Sequence, residues 1–274
     1  MKMNFVNEII YFNKIYILES LKKDEKQTGT ELHDDVILRR SWQKPNLLVE
    51  IIKLESKNDL IELLIKIKEE CLSNEIIPFI HFELHGFNKG IALKNNDKIL
   101  WSEIVPIIRE INITSKNNLF ISVAACKGGN IQHEIKITEP CPFRGFIGPM
   151  EDIATEDLLI SFTNFFDELL VSNNFDKAID RLNQNNNSGV IFHYLSSESF
   201  YKIVLDFHFK ELIRNPKNHE ERVAAISKNY WKNNPNAQEQ FRTKGRLKKS
   251  ILKFEKSEEP LFYKELKNRF LHIE

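Results

Sequence analysis

The sequence has few cysteines, no net charge and no long apolar run, and each of these absences excludes a class of protein. Its three cysteines form an odd and widely spaced set, Cys71, Cys126 and Cys141, which argues against a disulfide framework. The spacing also argues against a structural zinc site, because such sites take four ligands in closely spaced pairs. We therefore expect free thiols and a reducing, cytoplasmic location.

The charge balance and the hydropathy limit the classes of partner that we expect. Basic and acidic residues number 39 each, whereas proteins that capture nucleic acid by charge have a strongly basic face. No apolar segment is long enough to span a bilayer, and the first residues do not resemble a signal peptide. We therefore expect no membrane partner and no specific nucleic acid. Hydrophobic residues make up 42% of the chain, which is enough for a substantial core.

The order of the predicted elements indicates an α/β fold. Apolar residues at 46–52 predict a strand, and apolar spacings of three and four in residues 56–71 predict a helix. A second buried strand follows at 77–86, and strand, helix and strand in this order favour parallel pairing. Residues 5–20 predict a first strand or a hairpin, and the polar residues 22–46 predict a loop.

The rest of the chain continues the alternation of strands and helices. A hairpin is predicted at 90–101. Strands are predicted at 118–126, 143–149 and 189–195, and helices at 102–111, 158–169 and 175–182. We expect a mostly parallel β-sheet flanked by helices, with a first domain over residues 1–185. Residues 190–274 are charged and predicted to be mainly helical, as a regulatory region that packs on the first domain or forms a separate module.

The residues that could take part in catalysis lie at the ends of two predicted strands. One strand ends with His85 and Gly86, and another ends with Cys126, which Gly128 and Gly129 follow closely. Reactive groups gather at the carboxyl ends of strands in open α/β sheets. We therefore expect the histidine and the cysteine to meet, although 41 positions separate them. The amides of Gly86 and Cys126 are candidate donors to an oxyanion, and the two glycines are expected to allow a sharp turn.

These segments, in this order, resemble the caspase-like cysteine proteases of clan CD, which include caspases, metacaspases and the bacterial CHAT group. The caspase signature Gln-Ala-Cys-[Arg/Gln/Gly]-Gly is similar to residues 124–128, Ala-Ala-Cys-Lys-Gly. A histidine precedes the cysteine at a similar spacing, with a hairpin and a helix predicted between them. The resemblance covers about residues 45–172 and implies a caspase-like peptidase domain over residues 1–185.

The resemblance implies a cysteine-type endopeptidase that needs no cofactor. Cys126 would be the nucleophile, His85 the general acid and base, and the amides of Gly86 and Cys126 the oxyanion hole. Caspases carry Gln two residues before the cysteine and metacaspases commonly carry Asp, whereas this chain has Ala124. The cleavage specificity is therefore left open, and the candidate residues of the substrate pocket are Glu83, Ala124 and Asp152.

Two other functions are compatible with the same residues. The first is a catalytically inactive caspase-like module that binds a partner or a small ligand. The second is a metal-dependent hydrolase, because side chains alternate along a strand and His81, Glu83 and His85 would share one face. The other two cysteines have simpler interpretations. Cys71 fits the apolar face of a helix and is expected in the core, whereas Cys141 lies between two prolines in a predicted loop and is expected to be incidental.

The resemblance also predicts a biological role. Bacterial members of this group often act as effectors in signalling or antiphage defence and stay inactive until they are triggered. The expected partners are a protein substrate and an activator, either a partner protein or a nucleotide second messenger. Arg242, Lys244 and Arg246, in the basic stretch 242–249, are candidate contacts for that activator, although a solvated helix face is the simpler interpretation of such a run.

Overall fold

The centre of the fold is a mostly parallel sheet of eight strands. It is seen in a computed structural model that describes residues 10–73, 75–184, 189–207, 215–233, 245–247, 249–250 and 259–273. The strands are β1 (Lys14–Ser20), β2 (Leu48–Lys53), β3 (Pro78–Phe87), β4 (Gly90–Ala92), β5 (Lys98–Leu100), β6 (Phe120–Ala124), β7 (Gly145–Pro149) and β8 (Phe192–Ser196). Their order across the sheet is β2-β1-β3-β6-β7-β8, and β4 and β5 form a hairpin that extends from β3.

Helices flank the sheet and make up the described C-terminal residues. They are α1 (Thr28–Leu32), α2 (Leu38–Ser41), α3 (Lys57–Ser73), α4 (Trp101–Thr114), α5 (Thr155–Ser172), α6 (Phe175–Leu182), α7 (Ser197–Phe207), α8 (Pro216–Asn233) and α9 (Glu259–Leu271). Strands β2, β1, β3, β6 and β7 pair in parallel, and β8 is antiparallel to β7. The predicted α/β fold, with a mostly parallel sheet flanked by helices, is confirmed.

The chain divides into two compact units, Met1–Ser197 and Glu198–Glu274. The first unit contains the whole sheet, helices α1 to α6 and the candidate site. In the second unit, the Tyr201 hydroxyl donates a 2.5 Å hydrogen bond to the Tyr263 carbonyl oxygen, and Phe200 stacks on Phe270. Within the described ranges, no helix combines the length and the apolar character needed to cross a membrane.

The prediction of a loop over residues 22–46 is wrong for residues 28–41. Helices α1 and α2 occupy part of this range and are joined by a π-helical turn at His33–Ile37. The apolar side chains Leu32, Val36 and Ile37 are buried in the core. Because a π turn shifts the helical repeat, the segment shows little of the regular apolar spacing that reveals a helix.

Aromatic packing fixes one face of the sheet. The Phe79 ring on β3 lies 5.3 Å from the Phe166 ring of α5 in an edge-on contact, and the Phe162 ring lies 4.7 Å from the His81 ring. Helix α3 packs against the opposite face, where the Tyr16 hydroxyl on β1 reaches Glu70 of that helix. The sheet is therefore covered on both sides, as expected for parallel strands.

A partly buried ion pair joins β1 to α3. Lys14 Nζ lies 2.8 Å from a Glu70 carboxylate oxygen and 2.9 Å from one of Glu50, and the Tyr16 hydroxyl donates a 2.6 Å hydrogen bond to Glu70. Burial opposes ionisation of Glu70, but the bonds from Lys14 and Tyr16 outweigh it, so the pKa of Glu70 is lowered. Folding therefore favours the carboxylate, and this contribution is present at neutral pH.

Replacing Glu70 with glutamine is expected to lower the free energy of unfolding at pH 7 by about 1–3 kcal/mol, because hydrogen bonds to a charged group are lost. A lowered folded-state pKa stabilises above the unfolded pKa, and this stability is lost as the pH falls through the folded value. The difference between wild type and Glu70→Gln should therefore shrink below about pH 4.3. Urea unfolding at both pH values measures it, with the exposed Glu69→Gln as the control. Equal losses for Glu69→Gln and Glu70→Gln would contradict the account.

Candidate active site

The site lies at the carboxyl edge of the three central strands. Glu19 of β1 pairs with Glu83 of β3, and Glu83 pairs with Ala124 of β6, so the three strands end at one edge. After β1 the chain returns to the sheet in β2, which lies on one side of the β1–β3 pair. After β3 and its hairpin it returns in β6, which lies on the opposite side of that pair. The gap between β1 and β3 is therefore a topological switch point, the place where open α/β sheets bind ligands.

His85 lies near the end of β3, just beyond the part of the strand that pairs with β6. Its side chain is 53% exposed, and its Nε2 lies 3.0 and 3.1 Å from the two carboxylate oxygens of Glu25. Glu25 belongs to the loop between β1 and α1, and it also accepts a 2.7 Å hydrogen bond from the Lys22 amide. The loop after β1 and the end of β3 thus meet through this pair at the switch point.

The charge of Glu25 is favoured by its neighbours. Partial burial of the carboxyl group opposes ionisation, but the hydrogen bonds from the Lys22 amide and the His85 ring outweigh this effect. Together they lower the pKa of Glu25. At neutral pH the group facing His85 is consequently a carboxylate, which can only accept hydrogen bonds.

Cys126 follows the end of β6 in a turn that is not stabilised as the sequence predicts. The residue with a left-handed backbone is Lys127, at φ 57°, whereas neither Gly128 nor Gly129 has a positive φ. Glycine is required at these two positions for space, because a Cβ at Gly128 would lie 2.7 Å from a Val123 methyl group, and one at Gly129 would overlap the Met150 sulfur. The glycines allow a 3₁₀-helical turn, Gly128–Glu134, to pack closely against Val123 and Met150.

The backbone of Gly86 lies close to the carbonyl group of Cys126. A Cβ at Gly86 would overlap the carbonyl oxygen of Cys126, so only glycine permits this approach of the two backbones. Phe87 and Gly90 flank a two-residue turn, and in such hairpins the flanking residues form a hydrogen-bonded pair. The adjacent pair, Gly86 and Ile91, is then non-hydrogen-bonded, so the Gly86 amide faces away from β4. Neither this amide nor that of Cys126 donates to a turn or loop acceptor in the described part of the chain.

The structure places His85 and Cys126 at neighbouring strand ends but does not join them by a hydrogen bond. The Cys126 thiol, which is half-buried, instead lies 3.6 Å from the Ile153 carbonyl oxygen. The segment that carries this carbonyl is fixed beside the cysteine, since the Lys127 amide donates to Glu151 and the Lys127 ammonium pairs with Asp152 at 3.1 Å. The described arrangement is therefore one in which the thiol faces the 150–154 segment.

The three candidate residues of the substrate pocket differ in their exposure to solvent. Glu83 and Ala124 are 2% and 1% exposed. They lie beneath the edge of the sheet and do not line an open pocket, because the β1–α1 segment covers this part of the sheet: a Cβ at Gly29 would lie about 3 Å from Glu83 side-chain carbons. Asp152 is exposed, but its carboxylate pairs with Lys127. The sequence did not reveal this cover, because the covering segment was predicted to be an open loop.

A buried chain of hydrogen bonds lies under the site. Ser122 Oγ is 2.6 Å from His81 Nδ1, His81 Nε2 is 2.9 Å from Glu83, and Glu83 accepts a 2.7 Å bond from the Thr28 hydroxyl. The Ser-His-Glu order is that of a hydrolytic triad, but all three residues are at most 2% exposed. A substrate does not reach them, and their polar groups satisfy one another inside the core.

The same contacts argue against the metal-site interpretation of His81, Glu83 and His85. The first two bond to each other, while His85 turns to Glu25. Nowhere in the described ranges do three or more His, Cys, Asp or Glu side chains form a group that could hold a metal ion. The candidate activator contacts Arg242 and Lys244 lie outside the described residues, and Arg246 lies exposed in a short helical stretch, 245–247.

The other two cysteines differ from Cys126 in burial. Cys71 on α3 and Cys141, in the segment before β7, are 7% and 0% exposed, and burial raises the pKa of each thiol to about 12. Both are therefore protonated at neutral pH, and neither is accessible to a reagent. Cys71 lies on the buried face of its helix, as its apolar spacing predicts.

Iodoacetamide at neutral pH is accordingly expected to alkylate Cys126 faster than Cys71 and Cys141 in the native chain, by about tenfold or more, since the thiolate is the reactive species. Peptide mapping by mass spectrometry measures the three rates. A Cys126→Ser control should remain unlabelled until it is denatured. Equal labelling of all three thiols, or labelling of the buried pair alone, would argue against a reactive Cys126.

Glu25 is the one residue of the site that the sequence analysis missed. An acidic residue that follows the carboxyl end of the first strand can lie at the site, and the sequence has acidic residues there. This pattern does not select Glu25, however, because Asp24 and Glu31 lie in the same segment.

Comparison with known proteins adds no family assignment. No protein-family model matches the sequence, and a search of curated proteins finds no match. The resemblance to caspase-like proteases is therefore carried by the strand-end motifs and by the order of the elements around them.

Proposed function

We propose that the chain is a caspase-like cysteine endopeptidase in which Cys126 is the nucleophile and His85 the general acid and base. The observation that carries the proposal is the close approach of the two strand ends. Gly86, the residue after His85, packs directly against the carbonyl group of Cys126. This contact supports the proposal because it holds the strand ends that carry His85 and Cys126 side by side, at the edge where open α/β sheets bind ligands.

The proposed reaction begins when the Cys126 side chain rotates from the Ile153 carbonyl towards His85. The imidazole accepts the thiol proton, and the sulfur attacks the carbonyl carbon of the scissile peptide bond. The new C–S bond places negative charge on the carbonyl oxygen, which the amides of Gly86 and Cys126 stabilise. Removal of one such donor in other enzymes costs about 3–4 kcal/mol in the barrier.

The tetrahedral intermediate then collapses with cleavage of the C–N bond. His85 returns its proton to the departing amine, so that the leaving group is neutral. A water molecule next gives a proton to His85 and attacks the thioester. The C–S bond breaks as His85 returns that proton to the sulfur, which releases the carboxylic acid and restores the thiol and the neutral imidazole. Both residues end in the state in which they can begin again.

Incubation of the purified chain with a peptide library of defined sequences tests this proposal. We expect new cleavage products with the wild-type chain and none with Cys126→Ala, and the residue before each cut would give the specificity. The same products from both chains would contradict a cysteine mechanism.

The resemblance further suggests an effector of bacterial signalling or antiphage defence, switched on by a partner protein or a nucleotide messenger. Alanine replacements across residues 242–249 test the proposed activator contact. Unchanged activation in such a variant would remove this stretch from the account.

A second candidate function is a module that binds a partner without catalysis. The observation in its favour is that the thiol hydrogen-bonds to Ile153 and the imidazole to Glu25, with no bond between them. Slow alkylation of Cys126, unaffected by replacement of His85, would favour this alternative.

A further inference from the structure

Among the described residues, Glu25 reaches the candidate site through His85. Its two carboxylate oxygens lie 3.0 and 3.1 Å from His85 Nε2, while the Lys22 amide holds one of them at 2.7 Å. The other ring nitrogen, Nδ1, makes no hydrogen bond among the described residues. One nitrogen of the imidazole is therefore occupied by a carboxylate and the other is available.

This contact determines the tautomer of a neutral His85. A carboxylate accepts hydrogen bonds and cannot donate them, so the nitrogen that faces it carries the proton. The neutral ring then has N–H at Nε2 and a lone pair at Nδ1. The basic nitrogen is thus the one that Glu25 leaves unoccupied.

The loop that carries Glu25 is anchored on the α1 side of this residue. The Gln27 amide group donates to the carbonyl oxygens of Lys22 and Glu25, at 2.7 and 3.0 Å. Thr28 donates to the buried Glu83, and both the amide and the hydroxyl of Thr30 donate to the buried Glu19. A carboxylate on a segment fixed in this way is preorganised, as an orienting group must be.

We propose that Glu25 is a positioning residue that holds the Nε2–H of His85, so that Nδ1 takes the thiol proton from Cys126 and later gives it to the leaving amine. The inference rests on the proposed peptidase function for its mechanistic meaning. Glu25 itself stays ionised and takes no proton at any step. The site would then be a Cys-His-Glu array, in which the acid follows the first strand of the sheet.

The test is the tautomer of His85, read from the ring nitrogen shifts in ¹⁵N NMR spectra of the full chain. We expect the wild-type neutral ring to be in the Nε2–H form. In Glu25→Gln the amide can donate as well as accept, so a substantial Nδ1–H population should emerge. Glu31→Gln removes a charge from the same segment without contacting His85 and should retain the wild-type spectrum. The Nδ1–H form in the wild type, or identical spectra for wild type and Glu25→Gln, would overturn the proposal.

A second readout links the tautomer to the thiol. Loss of the carboxylate that fixes the histidine tautomer costs serine hydrolases about 10⁴-fold in kcat. We expect Glu25→Gln to slow alkylation of Cys126 at pH 7 by about tenfold or more, while the unfolding temperature stays near that of Glu31→Gln. Unchanged alkylation in a folded Glu25→Gln chain would count against the positioning role. Both readouts are independent of peptide cleavage, so a failure of the proposed peptidase function would be recognised separately.

Discussion

Replacing His85 with alanine is expected to lower kcat/KM for a cleaved peptide by about 10²–10⁴-fold, the usual contribution of a general acid and base. The fold should remain intact, because the His85 side chain is 53% exposed and its side-chain hydrogen bonds in the described structure all go to Glu25. Loss of an exposed polar contact of this kind typically changes stability by about 1 kcal/mol or less. Kinetics on a peptide identified as a substrate, together with urea unfolding, separate the two effects.

The control for this experiment is His193→Ala. His193 is also exposed, but it lies on β8, the strand at the edge of the sheet next to β7. It should keep wild-type activity. Comparable activity for His85→Ala and His193→Ala would contradict the assignment of His85 as the acid and base.

Replacing Gly86 with alanine is expected to damage both activity and stability. The new Cβ would overlap the Cys126 carbonyl oxygen and lie 3.0 Å from its carbonyl carbon and 3.1 Å from the Ala125 methyl group. Because these are largely backbone atoms, β3 and the Cys126 turn must separate. Overpacking of this kind costs about 1–3 kcal/mol, and a displacement of about 1 Å in an active site can cost 10²-fold in rate.

Urea unfolding and peptide kinetics measure the two consequences of Gly86→Ala. The matched control is Gly189→Ala, because a Cβ at Gly189 would meet no atom within 4 Å, although its φ of +67° is strained for alanine. That variant should lose about 1–2 kcal/mol of stability through its backbone and keep its activity. Wild-type kcat/KM in Gly86→Ala would show that the contact between the two strand ends is dispensable.

The sequence predicts the regular parts of the fold because local patterns dominate there. The apolar spacing from Leu60 to Cys71 predicts α3 correctly, and the apolar run before His85 predicts β3. The loop prediction is wrong for residues 28–41, since α1 and α2 are short and are stabilised by packing against α5 and β1. Such tertiary stabilisation leaves little signal in the local sequence.

For the candidate site, the sequence predicts the strand ends but not their surroundings. His85, Gly86 and Cys126 are recognisable because each follows a buried strand. The partner of His85 is not, because Glu25 meets it only through the order of the strands, 60 positions away in the chain. The burial of Glu83 likewise depends on a covering segment that was predicted as a loop.

The most direct test of the peptidase assignment is a proteome-wide comparison of new protein N-termini in cells. Cells would express the wild-type chain, Cys126→Ala or His85→Ala, each with and without phage infection or nucleotide messengers as triggers. The account predicts a set of new N-termini, with a shared residue before the cut, that is present with the wild type and absent with both variants. The same set of N-termini in wild-type and Cys126→Ala cells under every trigger would contradict it and favour a binding module.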